Sequence, residues 1–167
     1  MVNYKEITSI TNNYIKELTK LKDKKYSDLS DVFIVEGKHL VEEAYKHGQL
    51  VKVLSTDENL FYNDTENIKV TNEIIKKLSD TVNPQNVFGL VKKFEKDFDI
   101  KKCKSVLILD GISDPGNLGT IIRTSAGIGI DLIVMSENSV DLYNTKVIRA
   151  TSFVIAILEK KHIKISI

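Results

Sequence analysis

Several residue types that mark other protein classes are scarce in this sequence. Its 167 residues include one cysteine, three histidines and two prolines, and no tryptophan. A single cysteine cannot form an intramolecular disulfide, and so few cysteines and histidines argue against a zinc cluster. We therefore predict no metal site and assign no role to Cys103.

Long apolar segments are missing as well. No apolar run approaches the roughly 18 residues that a membrane-spanning helix needs. The first residues, Met1-Val-Asn-Tyr-Lys-Glu6, lack the apolar core of a secretory signal peptide. These two absences favour a cytoplasmic protein without a membrane partner.

An excess of charge of one sign is also absent, because 24 basic and 23 acidic residues leave a net charge of +1. A nucleic-acid-binding protein usually shows a basic excess, so RNA binding here requires a local patch. A lysine-rich segment near the N-terminus is the candidate, although a solvated helix face and loop explain it equally simply. Its members are Lys16, Lys20, Lys22, Lys24 and Lys25.

Strand and helix patterns alternate in the first part of the chain and indicate a mostly parallel sheet covered by helices. Apolar spacing predicts helices over Tyr4 to Leu21 and Lys38 to His47, with Gly48 ending the second. Thr71 is predicted to cap a third helix that runs to Ser79. The predicted strands are Val32 to Val35, Val51 to Leu54, and Asn86 to Lys93.

A charged segment from Glu95 to Lys104 interrupts the apolar pattern and is the predicted linker. The strand and helix alternation then starts again, which predicts an α/β protein of two domains, residues 1–94 and 105–167. In the second domain we predict strands Val106 to Asp110 and Leu132 to Met135, and helices Asn117 to Gly127 and Asp141 to Ser152.

The most informative stretch is Asp110-Gly-Ile-Ser-Asp-Pro-Gly-Asn-Leu-Gly-Thr-Ile-Ile-Arg123, which follows a buried strand and opens a helix. This is where α/β proteins place ligand chemistry. A P-loop is excluded because Asn117 stands where the phosphate-binding lysine must be, and the glycines do not form a dinucleotide fingerprint.

The residue types of this stretch indicate a tight turn followed by a capped helix. Pro115 and Gly116 favour the turn, and Asp114 and Asn117 can cap the helix. Arg123 carries a permanent cation and lies about 120° from Asn117 around a helix. From the residues alone, a catalytic loop and a purely structural reading, with two caps and an ion-paired Arg123, remain equally possible.

The stretch resembles the first signature of SpoU/TrmH-type RNA 2′-O-ribose methyltransferases of the SPOUT superfamily. The segments Phe33-Ile-Val-Glu-Gly-Lys-His-Leu-Val41 and Val140-Asp-Leu-Tyr-Asn-Thr-Lys-Val-Ile-Arg-Ala-Thr151 are similar to other parts of these enzymes. The resemblance implies a small N-terminal α/β RNA-binding domain, followed by the first part of an α/β-knot methyltransferase domain.

The resemblance also implies a reaction, namely methyl transfer from S-adenosylmethionine to a ribose 2′-hydroxyl in rRNA or tRNA. By this resemblance Arg123 is the catalytic residue that takes or polarises the hydroxyl proton, and Asn117 shapes the pocket beside it. His39 is interpreted as a helix-entry or surface residue. The residues expected to contact RNA are Lys20, Lys22, Lys24, Lys25, Lys38 and Arg149.

The sequence departs from the family pattern after Ser152. The Gly-Asn-Glu-x-x-Gly and Ser-Leu-Asn signatures that form the donor pocket are absent, so no cofactor-binding residues are assigned. We expect a truncated or frameshifted chain with an incomplete knot, weak or no methyl transfer, and little of the family's homodimer surface. The tail from Val154 to Ile165 is expected to form an improvised strand. The alternative function is that of a non-catalytic RNA-binding protein.

Overall fold

The computed structural model describes residues 2–93, 101 and 103–152. The chain divides into two compact units, Met1–Lys93 and Phe94–Ile167. Most of the predicted linker, and the tail strand predicted from Val154 to Ile165, lie outside the described residues. No helix in the described part of the chain is long and apolar enough to cross a membrane.

Unit 1 is built on a five-stranded sheet with the strand order β1-β4-β3-β5-β2. Strand β5 is antiparallel to both of its neighbours, β3 and β2, whereas β1, β4 and β3 pair in parallel. Four of the five strands therefore share one direction, which largely confirms the predicted parallel sheet. The strands are β1 (Tyr4–Ile7), β2 (Val32–Glu36), β3 (Leu50–Ser55), β4 (Glu66–Val70) and β5 (Val87–Lys92).

Four helices accompany this sheet: α1 (Asn13–Lys20), α2 (Lys24–Asp28), α3 (Lys38–Lys46) and α4 (Asn72–Leu78). Helices α1 and α4 contribute apolar side chains to a core that also takes residues from the strands. Burial of such side chains is the main favourable contribution to folding. Core members include Ile15, Leu18, Ile34, Leu54, Ile74, Leu78 and Phe88.

The N-terminal segment differs from the sequence prediction of one long helix over residues 4–21. Residues 4–7 form β1, which pairs with Asn67 to Val70 of β4, and α1 begins only at Asn13. Asn12 caps α1, because its side chain accepts a hydrogen bond from the backbone N–H of Tyr14 (2.9 Å). The prediction was wrong here because strand pairing with a segment 63 positions away overrides local helical periodicity. The sequence pattern also missed β4 and α2.

Unit 2 consists of two parallel strands and two helices in its described part. Strand β6 (Val106–Leu109) pairs with β7 (Leu132–Met135), with Val106 opposite Leu132. Helix α5 (Pro115–Ile128) connects the two strands, and α6 (Thr145–Thr151) follows β7. The α/β class and the order of these elements are confirmed. Helix α6 is shorter than predicted because Asn144 caps it, accepting from the backbone N–H of Lys146 (2.9 Å).

Candidate functional site

The loops that follow β6 and β7 are joined by hydrogen bonds. The backbone N–H of Gly111 donates to Ser136 Oγ (2.9 Å), and that of Ile112 donates to Ser139 Oγ (3.2 Å). The N–H of Val140 donates to the carbonyl oxygen of Ile112 (2.8 Å). Because both loops leave the carboxyl ends of parallel strands, they form one ordered edge where such proteins bind ligands.

The start of α5 is set by Asp114 and Pro115. The Asp114 side chain accepts a hydrogen bond from the backbone N–H of Asn117 (2.7 Å), and Pro115 occupies the first turn. The predicted cap by Asp114 is confirmed. The predicted cap by Asn117 is wrong, since Asn117 lies inside the helix and supplies the N–H that is capped.

A cleft of about 390 Å³ opens beside this turn. Hydroxyl, carboxylate and amide groups line it together with two isoleucines, and its floor is the first turns of α5. The first turn of a helix favours negative charge because its backbone N–H groups point toward a ligand. The lining residues are Gly111, Ile112, Ser113, Asp114, Asn117, Thr120 and Ile121.

Arg123 lies further along α5 and does not line the cleft. Its side chain is exposed, and no ion pair of the described residues involves it. The purely structural reading required Arg123 to form an ion pair with a carboxylate, and the described residues do not form that ion pair. Since Asn117 belongs to the helix, Arg123 lies six positions further along it and the two side chains project about 120° apart. They reach one ligand only if that ligand extends around the helix.

Gly119 has a packing role that the sequence pattern did not reveal. Helices α5 and α6 pack against each other, and a Cβ atom added at Gly119 would overlap with the Cβ of Ala150. It would also lie 3.2 Å from the Ala150 backbone. The glycine therefore allows the close approach of α6, which carries the half-buried Arg149 next to Ala150. No local signal identifies this role, because the partner lies 31 positions away.

The predicted RNA-binding lysines of unit 1 fall into separate environments. Lys20 and Lys25 lie beside the ring of Tyr26, with Nζ atoms 5.6 and 5.9 Å from its centroid. Lys22 instead pairs with Asp80 (2.8 Å), and its side chain is only 18% exposed. Lys38 is exposed at the start of α3, 3.7 Å from Glu42. The structure brings two of these lysines together on one aromatic ring and removes Lys22 from the open surface.

Two residues of the segment 33–41 differ in burial. His39 is exposed in the first turn of α3, in agreement with its interpretation as a helix-entry or surface residue. Glu36 is buried, and its Oε1 accepts hydrogen bonds from Ser79 Oγ (2.8 Å), Thr81 Oγ1 (3.2 Å) and the N–H of Gln85 (3.1 Å). The only feature of the sequence that pointed to this role of Glu36 is its position as a carboxylate at the end of an apolar strand. Glu36 organises the segment from Ser79 to Gln85.

The described residues contain no group of three or more histidine, cysteine, aspartate or glutamate side chains arranged to hold a metal ion. The polar groups at the cleft are hydroxyls, one amide and one carboxylate that already accepts a backbone hydrogen bond. Such groups suit contacts with the ribose and phosphate of a nucleic acid.

Both units match protein families. Residues 12–89 match the MRM3-like substrate binding domain, and residues 104–164 match the SpoU rRNA Methylase family. The first match lies entirely within the five-stranded unit. The second contains the whole ordered edge formed by the loops after β6 and β7.

Curated relatives carry the same assignment in their names. The chain is 33% identical over 151 residues to the 23S rRNA (guanosine(2553)-2′-O)-methyltransferase RlmP of Bacillus subtilis, covering 87% of this chain and 60% of the relative. It is 32% identical over 154 residues to the mitochondrial rRNA methyltransferase 3 of Mus musculus, covering 80% of this chain and 35% of that protein. The chain thus spans less than two thirds of the length of these relatives.

A solved structure agrees with this grouping. The AdoMet-bound rRNA methyltransferase from Sinorhizobium meliloti superimposes with a TM-score of 0.77 at 27% identity, covering 97% of this chain and 64% of that one. The fold, the two family matches and the Asp114-Pro115 turn lead to one assignment. The chain carries a domain of the SpoU rRNA Methylase family over residues 104–164, preceded by an MRM3-like substrate binding domain over residues 12–89.

Proposed function

We propose that this chain supplies the RNA-binding unit and the RNA side of the active site of an rRNA 2′-O-ribose methyltransferase. The observation that supports this most is the ordered edge at the capped start of α5, which lies within the methylase match. There the cleft offers hydroxyl and amide groups at a helix N-terminus, a combination that suits a ribose and its adjoining phosphate.

S-adenosylmethionine, when bound, supplies a methyl group on a positively charged sulfur. The first turn of α5 suits the carboxylate of this molecule but not its sulfonium or ammonium group, so the cleft matches only part of it. The donor signatures expected from the family are also absent from the sequence. We infer that the described residues supply the RNA side of the site and do not themselves form the donor site.

On the RNA side, Arg123 and Asn117 have separable roles in this proposal. A guanidinium keeps its proton at any physiological pH, so Arg123 acts as a donor and not as the base. It holds a phosphate beside the target ribose and stabilises the negative charge that develops on the 2′-oxygen, whose proton passes to solvent. Asn117, on the cleft side of α5, hydrogen-bonds the ribose and orients it.

Unit 1 supports a second candidate function, that of a non-catalytic RNA-binding protein. It has its own five-stranded sheet and its own core, and it matches a substrate-binding domain independently of unit 2. Phosphate contacts by exposed lysines need neither the donor nor the cleft. In this case the chain retains RNA affinity while Arg123 and Asn117 have no function.

A chimera separates the two candidates. Residues after Ser152 are replaced by the corresponding segment of the Bacillus subtilis relative, and methyl transfer from labelled S-adenosylmethionine to rRNA is measured. 2′-O-methylation is read independently as resistance of one phosphodiester to alkaline cleavage. We expect the unmodified chain to be inactive and the chimera to be active.

Variants of the chimera test the residue roles. Arg123→Ala is expected to lower kcat roughly 100- to 1000-fold, the usual cost of losing one donor to a developing oxyanion. The matched control is Lys146→Ala, which removes an exposed cation of the same unit and is expected to change kcat little. Equal activity of the Arg123→Ala and Lys146→Ala chimeras would reject the role of Arg123.

Location and assembly follow from the same proposal. We propose that the protein acts in the cytoplasm, where rRNA substrates of a bacterial-type relative are found. The homodimer implied by the family resemblance is proposed only for a chain that carries the rest of the methylase domain.

A further inference from the structure

Tyr26 occupies an unusual position in unit 1. It lies on the short helix α2, and its side chain is 41% exposed. The next residue, Ser27, is buried, and its carbonyl oxygen accepts a hydrogen bond from Lys93 Nζ (2.6 Å). Ser27 and its hydrogen bond with Lys93 therefore fix the position of α2, and the exposed Tyr26 is attached to this fixed backbone.

Two ammonium groups from different helices lie near the Tyr26 ring. Lys20, the last residue of α1, has its Nζ 5.6 Å from the ring centroid, and the Nζ of Lys25 is 5.9 Å away. Lys20 also donates to Glu17 Oε1 (2.7 Å), and this hydrogen bond raises the pKa of Lys20. Lys20 therefore stays charged beside the ring at neutral pH.

We propose that Tyr26 is a stacking platform for an unpaired RNA base, with Lys20 and Lys25 contacting the phosphates on either side of that nucleotide. An aromatic ring with two cations beside it fits a base and its backbone at once, because the ring stacks on the base and the ammonium groups meet the phosphates. The exposed Leu29, one residue beyond α2, extends the apolar surface on which the nucleotide lies.

A second exposed tyrosine provides a contrast. The ring of Tyr45 already stacks on that of Tyr62, with centroids 4.1 Å apart. The neighbouring Lys46 is paired with Glu43 at 2.7 Å. Lys20 beside Tyr26 has a similar partner in Glu17, so the two sites differ in the ring: one face of Tyr45 is already occupied by Tyr62.

Base stacking predicts a preference that phosphate contacts alone do not. An unpaired base is accessible in the loop of a stem-loop but not in a continuous duplex. We expect the chain to bind an RNA stem-loop with a uridine-rich loop more tightly than a blunt duplex containing the same stem. This inference rests on the proposed RNA-binding function and deepens it.

The absence of tryptophan from the sequence allows a direct test. The full-length Tyr26→Trp variant carries one indole, which is titrated with the stem-loop while binding is followed separately by anisotropy of labelled RNA. We expect indole fluorescence to be quenched in step with the anisotropy change. The matched control is Tyr45→Trp, whose fluorescence is expected to stay nearly constant while RNA binds.

The outcomes distinguish the inference from the function on which it rests. RNA binding with an unquenched indole in Tyr26→Trp, or with equal quenching in both variants, would overturn the stacking platform and leave RNA binding intact. No anisotropy change for the wild-type chain would refute the proposed RNA-binding function, and the platform with it.

Affinities of two further variants supply an independent measurement. Tyr26→Ala is expected to weaken stem-loop binding roughly five- to 150-fold, whereas Tyr26→Phe keeps the ring and stays near wild type. Duplex binding should change little in either variant. Circular dichroism and thermal unfolding of each variant verify the fold, and equal losses for stem-loop and duplex in a folded Tyr26→Ala variant would contradict stacking.

Discussion

At the scale of single residues, two glycines of α5 have opposite environments. Gly119 lies against Ala150 of α6, so close that no side chain fits there. Gly127 lies in the last turn of the same helix, and a Cβ atom added there would have no atom within 4 Å. One glycine is required by packing, whereas the other only lowers the helical propensity of α5.

We predict that Gly119→Ala destabilises unit 2 by about 1–3 kcal/mol, because the added methyl group forces α5 and α6 apart. Gly127→Ala is expected to stabilise it by about 0.5–1 kcal/mol, since alanine is the better helix former. Urea unfolding followed by circular dichroism measures both. Stabilisation by Gly119→Ala would show that α6 does not pack as described.

At the scale of secondary-structure elements, β6 and β7 are tied together at both ends. At their carboxyl ends Gly111 and Ile112 donate to Ser136 and Ser139. At their amino ends Asp131 Oδ2 accepts from the backbone N–H groups of Lys104 and Ser105 (both 2.9 Å) and from Ser105 Oγ (3.0 Å). These contacts hold the two strands in register and so support the candidate site.

The hydrogen bonds from Lys104 and Ser105 lower the pKa of Asp131 below its ordinary value of 3.8. A carboxyl with a lowered folded-state pKa contributes stability that is fully present above its unfolded-state pKa and lost as the pH falls through its folded-state pKa. We therefore expect wild-type unit 2 to lose this stability only below about pH 4, and Asp131→Asn to lack that part of the acid dependence.

Thermal unfolding of Asp131→Asn and of wild type between pH 2 and 7 tests this effect, in the range where an aspartate titrates. The control is Asp64→Asn, an exposed loop residue of unit 1. The difference in melting temperature between wild type and Asp131→Asn should shrink as the pH falls. A difference that is independent of pH would contradict a charge-dependent role for Asp131.

At the scale of the whole molecule, each unit has its own sheet, and the two sheets differ in how well they are covered. The core of unit 1 combines residues of its sheet with residues of α1 and α4. In unit 2, β7 is mostly buried, but β6 exposes Val106 and Ile108, the latter at 71%. Exposed apolar side chains on a strand favour association between chains.

We predict that the chain self-associates with increasing concentration and that Ile108→Thr reduces this association. Threonine keeps the β-branched shape that suits a strand and replaces apolar surface with a hydroxyl. Light scattering over a concentration series measures the effect. The matched control is Val82→Thr, which changes a highly exposed valine of unit 1 outside any strand and should leave association unchanged. Equal reduction of self-association by both variants would show that β6 is not the surface through which the chains associate.

Predictions from local residues held up best where the structure is itself local. The cap at Asp114 and the strands beside it depend on neighbours within a few positions, and they are confirmed. The tight turn predicted at Pro115 and Gly116 is wrong, because these residues form the first turn of α5. The helix predicted from residue 4 failed because β1 is stabilised by pairing with β4. The antiparallel direction of β5 relative to the other strands could not be predicted from the sequence, since apolar alternation does not encode strand direction.

The sequence by itself determined the family, the α/β class and the motif that opens α5, because motif chemistry and capping act over short distances along the chain. Only the tertiary structure decided which side chains meet. It paired Lys22 with Asp80, buried Glu36 under Ser79 and Thr81, and required a glycine at position 119. These contacts join residues 31 to 58 positions apart, and they depend on packing between elements rather than on any pattern within one.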